Sequence, residues 1–244
     1  MSEILVVRKF DNFSRILTRN GFSVVNSPTI ETIECGNSHN LSGKISPLDY
    51  DGIFLTSPRA TEIAWRELFS KKKYRGKVYV LGQRSFEILK DKNLLLSFDE
   101  AANTAREMLE RIPPDELKGK RFLFIRGEKT VGTISDVLKK IAALDEEIVY
   151  ETRKIAVEES LKKEIEAKLD GGRIEAACFF SPSGAESFLE QFGLESLGQT
   201  KIAVIGKTTA EFFAQRNLRV GFIATKATAE DFAIELIDYL RKKD

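Results

Sequence analysis

"FLTSPRATEIAW" (residues 54–65) and "FFSPSGAESFLE" (residues 179–190) each run an apolar, strand-like stretch into Ser-Pro and then into a helical pattern. Ser57 and Ser181 stand 124 positions apart, and the same shift carries other features of the first half onto the second. Glu62 falls on Glu186, Lys77 on Lys201, Gly82 on Gly206, Ser85 on Thr209 and Glu87 on Glu211. Asn93 falls on Asn217, Phe98 on Phe222, and Thr104-Ala105 on Thr228-Ala229. Upstream, Val25 and Asn26 fall on Val149 and Tyr150. "EILVVR" (3–8) meets "RFLFIR" (121–126) at a shift of 118, which brings Arg8 onto Arg126. One shared dipeptide would be noise; a run of in-register matches points to an internal duplication.

Around these turns, short apolar runs alternate with amphipathic segments along the whole chain. Strands are expected at 4–8, 23–25, 52–57, 77–82, 94–98, 121–126, 147–152, 175–181, 201–206 and 219–224. Between them lie helical patterns such as "TISDVLKKIAAL" and "TAEDFAIELIDYL". Apolar strands that alternate with helices imply parallel sheets covered on both faces, an α/β fold. The polar stretch "CGNSHNLSGKISPLDYD" (35–51) breaks this rhythm and reads as a crossover. "PTIETIE" before it and "TRKIAVEES" after Tyr150 both look extended, and two such passages can pair as a bridge between domains.

The totals exclude several classes. The chain has 244 residues, enough for two modest domains, with 38 Lys plus Arg against 37 Asp plus Glu. That balance argues against a nucleic-acid binder. Two cysteines, Cys35 and Cys178, and one histidine, His39, are too few for a Cys/His metal site or a disulfide framework. Cys178, inside "AACFF", reads as a core thiol. A Ser/His/Asp triad would have only His39, in a polar loop, to recruit. No apolar run approaches the ~20 residues of a membrane span, and the first residues open directly into a strand, so a cytoplasmic protein is expected. "VIGKTTAE" imitates the end of a P-loop, but Lys201 occupies the place of its first glycine; no G-x-G-x-x-G follows a strand. Neither metal nor organic cofactor is expected.

Each half thus carries four strand-to-helix turns. The first ends in Arg (Arg8, Arg126), the second is Ser-Pro, the third is Gly-x-x-Ser/Thr, and the fourth is a Thr-Ala helix start. In an open parallel sheet, ligands bind beyond the carboxyl ends of the strands, where these turns lie. Hydroxyls, exposed N–H groups and the helix dipole suit carboxylates or phosphates there. The candidate contacts are Arg8, Thr56, Ser57, Arg59, Gly82, Ser85, Arg126 and Gly127 from the earlier turns. Ser181, Ser183, Gly184, Gly206, Lys207, Thr208, Thr209 and Thr228 come from the later ones. Each hydroxyl taken singly reads first as an ordinary N-cap, whereas the set, present twice at matching positions, reads as a binding surface; Arg8 and Arg126 are otherwise surface residues at strand ends and Arg59 an outward-facing first-turn residue.

In order and spacing the motifs "FLTSPRA" (54–60), "LGQRS" (81–85), "FIRGE" (124–128), "VYETR" (149–153), "FFSPSGAESF" (179–188), "IGKTTAE" (205–211) and "ATAEDFAIEL" (227–236) resemble the uroporphyrinogen-III synthase family. The resemblance covers essentially the whole chain. It implies two similar flavodoxin-like domains joined by a two-stranded linker. One is discontinuous, residues 1–34 plus 157–244; the other, 38–150, is inserted, with extended linkers at 35–37 and 151–156. The duplicated halves are then interleaved between domains. The implied substrate, held in the interdomain cleft, is hydroxymethylbilane, a linear tetrapyrrole polycarboxylate. The implied reaction dehydrates and cyclises it with inversion of ring D to uroporphyrinogen III, without a cofactor, in a monomeric enzyme.

Tyr150 matches the tyrosine usually proposed to assist departure of the hydroxyl, and its repeat mate is Asn26, so the fold did not require Tyr there. The family usually reads Thr-Arg-Pro where this chain has Val7-Arg8-Lys9. That departure weakens a role for Val7, not for Arg8. The alternative reading is a cytoplasmic two-domain binding protein for a small anionic or sugar ligand. A receiver-like module would need clustered Asp at strand ends that carry Arg8, Ser57, Arg126 and Ser181.

Overall fold

A computed structural model describes residues 3–130 and 132–242. In chain order its first elements are β1 (Glu3–Val6), α1 (Asn12–Arg19), β2 (Ser23–Asn26), β3 (Ile30–Glu34), α2 (Leu41–Lys44), β4 (Gly52–Leu55) and α3 (Pro58–Ala64). Then follow β5 (Lys77–Val80), α4 (Gln83–Leu89), β6 (Leu95–Ser97), α5 (Ala105–Glu110), α6 (Pro114–Leu117), β7 (Arg121–Gly127), α7 (Thr133–Leu138) and β8 (Ala143–Lys154). The last are α8 (Glu159–Asp170), β9 (Ile174–Phe179), α9 (Pro182–Phe192), β10 (Lys201–Val204), α10 (Lys207–Ala214), β11 (Val220–Ile223) and α11 (Ala229–Arg241).

The chain divides into two units, one formed by residues up to Glu31 and from Arg153 onward, the other by Thr32–Thr152. The change of unit falls within β3 and β8 rather than after them. The first unit holds a parallel sheet in the order β2-β1-β9-β10-β11. The second holds β8-β7-β4-β5-β6, also parallel, with β3 beside β8 at the edge. Counted by position within a duplicated half, each sheet runs 2-1-3-4-5, the doubly wound flavodoxin order. In each sheet, strands 1 and 2 come from one half and strands 3 to 5 from the other.

Alternation along the central strands assigns each side chain to one face. Leu5, Ala177, Phe179 and Val204 join one cluster, and Ile4, Val6, Ala176 and Cys178 the opposite one. In the second unit, Ile53, Leu55, Leu123 and Ile125 oppose Phe54, Phe122 and Phe124. With both faces covered the strands must be apolar throughout, which is why they read as continuous runs. Burial of each Leu, Ile or Phe stabilises by roughly 1.5–3 kcal/mol. Cys178 is fully buried, and that burial pushes its thiol pKa up.

Sheet register corrects one part of the expected duplication. β1 pairs with β2 through Val6 and Asn26, whereas β7 pairs with β8 through Phe124 and Glu146. By position in the sheet, the mate of Asn26 is therefore Glu146, a shift of 120, and not Tyr150. The crossing strands keep the shift of 120. Cys35 N–H donates to Val149 O at 3.0 Å and Ile155 N–H to Thr29 O at 2.9 Å; the shift carries Cys35 to Ile155 and Thr29 to Val149. Tyr150 is thus the counterpart of Ile30. The cause is length: β8 begins at Ala143 and runs 12 residues into the crossing, four residues earlier than the expected strand start at 147. The stretch 35–51 is not extended but folds into two 3₁₀ turns around the short α2.

Candidate active site

The turns at the carboxyl ends of the strands are built alike in the two units. Ser57, with extended backbone, starts α3 and accepts from Ala60 N at 3.2 Å. Ser181 starts α9 and accepts from Gly184 N at 3.2 Å. Thr104 caps α5 through Glu107 N at 3.2 Å, and Thr228 caps α11 through Asp231 N at 3.1 Å. Each pair of caps and each pair of capped amides is related by 124 positions. Pro at the first helical position of α3 and α9 adds to the start signal, because its missing N–H is not needed there. The third turns differ: Gly82 sits at φ +86° with open space where a side chain would stand, while Gly206 is fully extended.

In the second unit, Ser57, Tyr150 and Gly127 meet, and Arg126 directly precedes Gly127 on β7. The Tyr150 hydroxyl lies 3.1 Å from Ser57 Oγ. A Cβ on Gly127 would stand 2.5 Å from Tyr150 Cζ, so the ring occupies the space that a larger residue would take. Arg126 donates from Nε to Glu146 at 2.7 Å and from Nη1 to the carbonyls of Gly127 and Glu128, each at 2.8 Å. Burial works against the charge of Glu146, but hydrogen bonds from Lys139 and Arg126 outweigh it and hold its pKa below the usual range. Arg59 is engaged too, donating to Glu34 at 2.8 Å and to Glu62 at 3.2 Å.

Glu34, at the end of β3, was not singled out by the sequence. Its carboxylate accepts from Arg66 at 2.6 Å as well as from Arg59, and chiefly the Arg66 bond lowers its pKa. The signal available was slight: a lone acid ending a strand-like run.

In the first unit, Arg8 pairs with Asp11 at 2.8 Å and lies over the Phe180 ring at 4.3 Å. Asp11 also caps α1 by accepting from Phe13 N. Ser181 and Ser183 share a contact at 3.2 Å between hydroxyls. Gly184 is buried, and a Cβ there would meet Ser181 Oγ at 3.3 Å and Ile30 at 3.6 Å. Lys207 and Thr208 are exposed and Thr228 half-buried. Ser85 and Thr209, repeat mates, are buried on the inner faces of their helices, and Ser85 Oγ meets no partner among the described residues. Thr56 is half-buried directly before Ser57. A hollow of about 1060 Å³ in this unit, lined by Glu3, Arg173, Glu175 and Lys201, lies at the opposite, amino ends of β1, β9 and β10 and shares none of these residues. Among the described residues, no cluster of three or more His, Cys, Asp or Glu forms a metal site, and no helix is long and apolar enough to cross a membrane.

A family model described as "Uroporphyrinogen-III synthase HemD" matches residues 11–233. The chain belongs to the uroporphyrinogen-III synthase family. It is an enzyme family of lyases in porphyrin biosynthesis. A uroporphyrinogen-III synthase of Chlorobaculum parvum is 27% identical over 254 aligned positions, which cover 99% of this chain and 100% of that protein. Among solved structures, the Helicobacter pylori uroporphyrinogen-III synthetase superposes with a TM-score of 0.63 at 20% identity, covering 99% of this chain and 100% of that one. A mutant uroporphyrinogen III synthase of Thermus thermophilus superposes at 0.68 and 12% identity, with the same coverage. At such identities the two structures speak for the fold alone, and that fold is the family's two-domain α/β architecture.

Proposed function

We propose that the chain cyclises and dehydrates hydroxymethylbilane to uroporphyrinogen III, with inversion of ring D. One observation carries the reading: family membership coincides with two sets of matched helix-start turns, one at the carboxyl edge of each parallel sheet. The substrate is a linear polycarboxylate, and N–H groups and hydroxyls at helix starts bind carboxylates without a strongly basic protein. The matched turns of the two units differ at Arg59 against Ser183, so they present different groups to a carboxylate.

The reaction begins as the hydroxymethyl C–O bond breaks. The hydroxyl leaves as water, assisted by hydrogen-bond donation from Tyr150, and the pyrrole carries the resulting azafulvene cation. The substituted carbon of ring D attacks, a spiro intermediate rearranges, and the closed macrocycle loses a proton, balancing the one carried off in the water. Holding both ends of one molecule together supplies much of the acceleration; oriented intramolecular reactions gain up to about 7–11 kcal/mol. Arg8 and Arg126 are already held by Asp11 and Glu146, so their part is to shape the turns electrostatically unless a substrate carboxylate displaces those partners.

The test is isomer analysis of the product formed by purified protein from enzymatically generated hydroxymethylbilane. Type III isomer well above the spontaneous background is expected. Type I alone overturns the proposal, and tight binding of uroporphyrinogen or a sugar without turnover would mark a binding protein instead.

A further inference from the structure

We infer that Ser57 and Gly127 are positioning residues for Tyr150, with Ser57 linking the start of α3 to the tyrosine hydroxyl. This rests on the proposed reaction for its catalytic consequence, but the contact itself stands on geometry. Ser57 Oγ accepts from Ala60 N at 3.2 Å and lies 3.1 Å from Tyr150 Oη. A serine hydroxyl has one donor and two acceptor sites, and a tyrosine hydroxyl donates and accepts once each in such a chain. Ser57 Oγ thus accepts from both Ala60 N–H and the Tyr150 O–H, which fixes the phenol at the start of α3, and the tyrosine proton passes from this bond to the departing hydroxyl when substrate is bound.

The duplication supplies an internal control. Ser181 caps α9 with the same geometry as Ser57 caps α3. At the crossing-strand position where the second unit has Tyr150, the first has Ile30. There Ile30 Cδ1 packs 3.6 Å from where a Cβ on Gly184 would stand. The cap is common to both copies, so by itself it is structural; the phenol placed against it belongs to one copy only. Gly127 completes the arrangement. A Cβ there would come within 2.5 Å of Tyr150 Cζ and 2.8 Å of its hydroxyl oxygen. Lys9, its mate by the shift of 118, follows the end of β1. The Tyr, the Gly beneath its ring and the Ser before its hydroxyl form one set, and two of the three depart from the repeat together.

Two readouts test this. The first is a double-mutant cycle on kcat for type III isomer, using Ser57→Ala, Tyr150→Phe and the pair, with KM followed separately. Ser57→Ala should lower kcat by roughly two- to tenfold, the range for loss of one neutral hydrogen bond, with little change in KM. In the Tyr150→Phe background it should add almost nothing, and Ser57→Thr should restore most of the loss. Losses that multiply in the pair, or a Ser57→Ala effect confined to KM, overturn the inference. The second readout needs no activity: ¹⁹F NMR of protein labelled with 3-fluorotyrosine, the Tyr150 resonance being the one absent from Tyr150→Phe. Ser57→Ala and Gly127→Ala should each shift it, and Ser57→Thr should leave it near its place. An unmoved resonance in Ser57→Ala refutes the contact. If wild-type protein forms no type III isomer, the proposed reaction fails on that observation, while the fluorine spectrum still decides the arrangement.

Discussion

Asn93 and Asn217 give the sharpest check on the duplicated backbone. They are 124 positions apart, both are exposed, and among the described residues they are the only non-glycines with positive φ, at 54° and 57°. Each follows the helix of a third turn. After α10, Leu218 N–H reaches back to Phe213 O at 3.0 Å, the long bond of a Schellman ending, with Asn217 as the left-handed residue. The left-handed region costs an ordinary L-residue roughly 1–2 kcal/mol, and Asn less, because its short side chain tolerates that region. Asn→Ala at either position should therefore destabilise by about 1 kcal/mol through backbone strain, with no packing change to confuse the result.

For a chain of this size, 1 kcal/mol corresponds to a fall of about 2–4 °C in Tm. Asn→Gly should be close to neutral, since freedom at positive φ is offset by a looser unfolded chain. The two sites lie in different units with no shared partner, so the double Ala variant should lose the sum within about 0.5 kcal/mol. Thermal denaturation of the four variants and the wild type, followed by circular dichroism, measures all of this. An Ala variant as stable as wild type at either position refutes the assignment of left-handed backbone there. A large loss at one and none at the other refutes the equivalence of the copies.

Glu34→Gln removes the charge shared by Arg59 and Arg66. The pair is partly exposed, so a loss of about 1–2 kcal/mol is expected, between the ~0–1 of surface pairs and the ~3–5 of broken buried ones. Because the folded pKa of Glu34 is lowered, its contribution is complete above the unfolded value near ~4.3 and is lost as pH falls through the folded one. The gap between wild type and Glu34→Gln in urea denaturation should accordingly close in acid; a gap that persists at low pH contradicts the ion pair. Thiol labelling should modify Cys178 only on unfolding, since the side chain is fully buried and its pKa raised. Rapid reaction of both cysteines in native buffer would contradict that burial.

Much of the fold was legible because its signals are local. Helix starts at Ser57, Ser181, Thr104 and Thr228 lie where Ser-Pro and Thr-Ala marked them, and each hydroxyl meets the amide three residues on. The central strands show as unbroken apolar runs because helices cover both faces. The register of β8 was not legible. Its "ALDEEIVYETRK" is half-buried and polar, so no apolar alternation ties it to β7, and the identity of Val25 with Val149 placed it four residues away from its place in the sheet. The partners of Arg59 and Arg126 were equally hidden, since Glu34 and Glu146 reach them across strands rather than along the sequence. Burial of Ser85 and Thr209 depends on which way each helix turns its first residues toward the sheet. Spacing within a turn does not encode that.

The correction at β8 also changes what the asymmetry between copies means. With Asn26 as its mate, Tyr150 would be one polar residue exchanged for another at a strand end. With Ile30 as its mate, a phenol replaces an apolar side chain that packs over the other copy's capped turn. Such a replacement places a hydroxyl where the fold itself asks only for packing, and it comes with a glycine beneath the ring. Structural need explains the features that the two copies share: the caps, the left-handed asparagines, the sheet order. Among the departures are Tyr150, Gly127 and Arg59 with Glu34, which stand together in the second unit. Turns that the two copies share act alike, so chemistry particular to one unit lies in such departures. Substitutions in this set should therefore alter turnover or isomer ratio more than equal losses of stability in the shared caps, and comparable activity losses at equal stability in both classes would contradict that division.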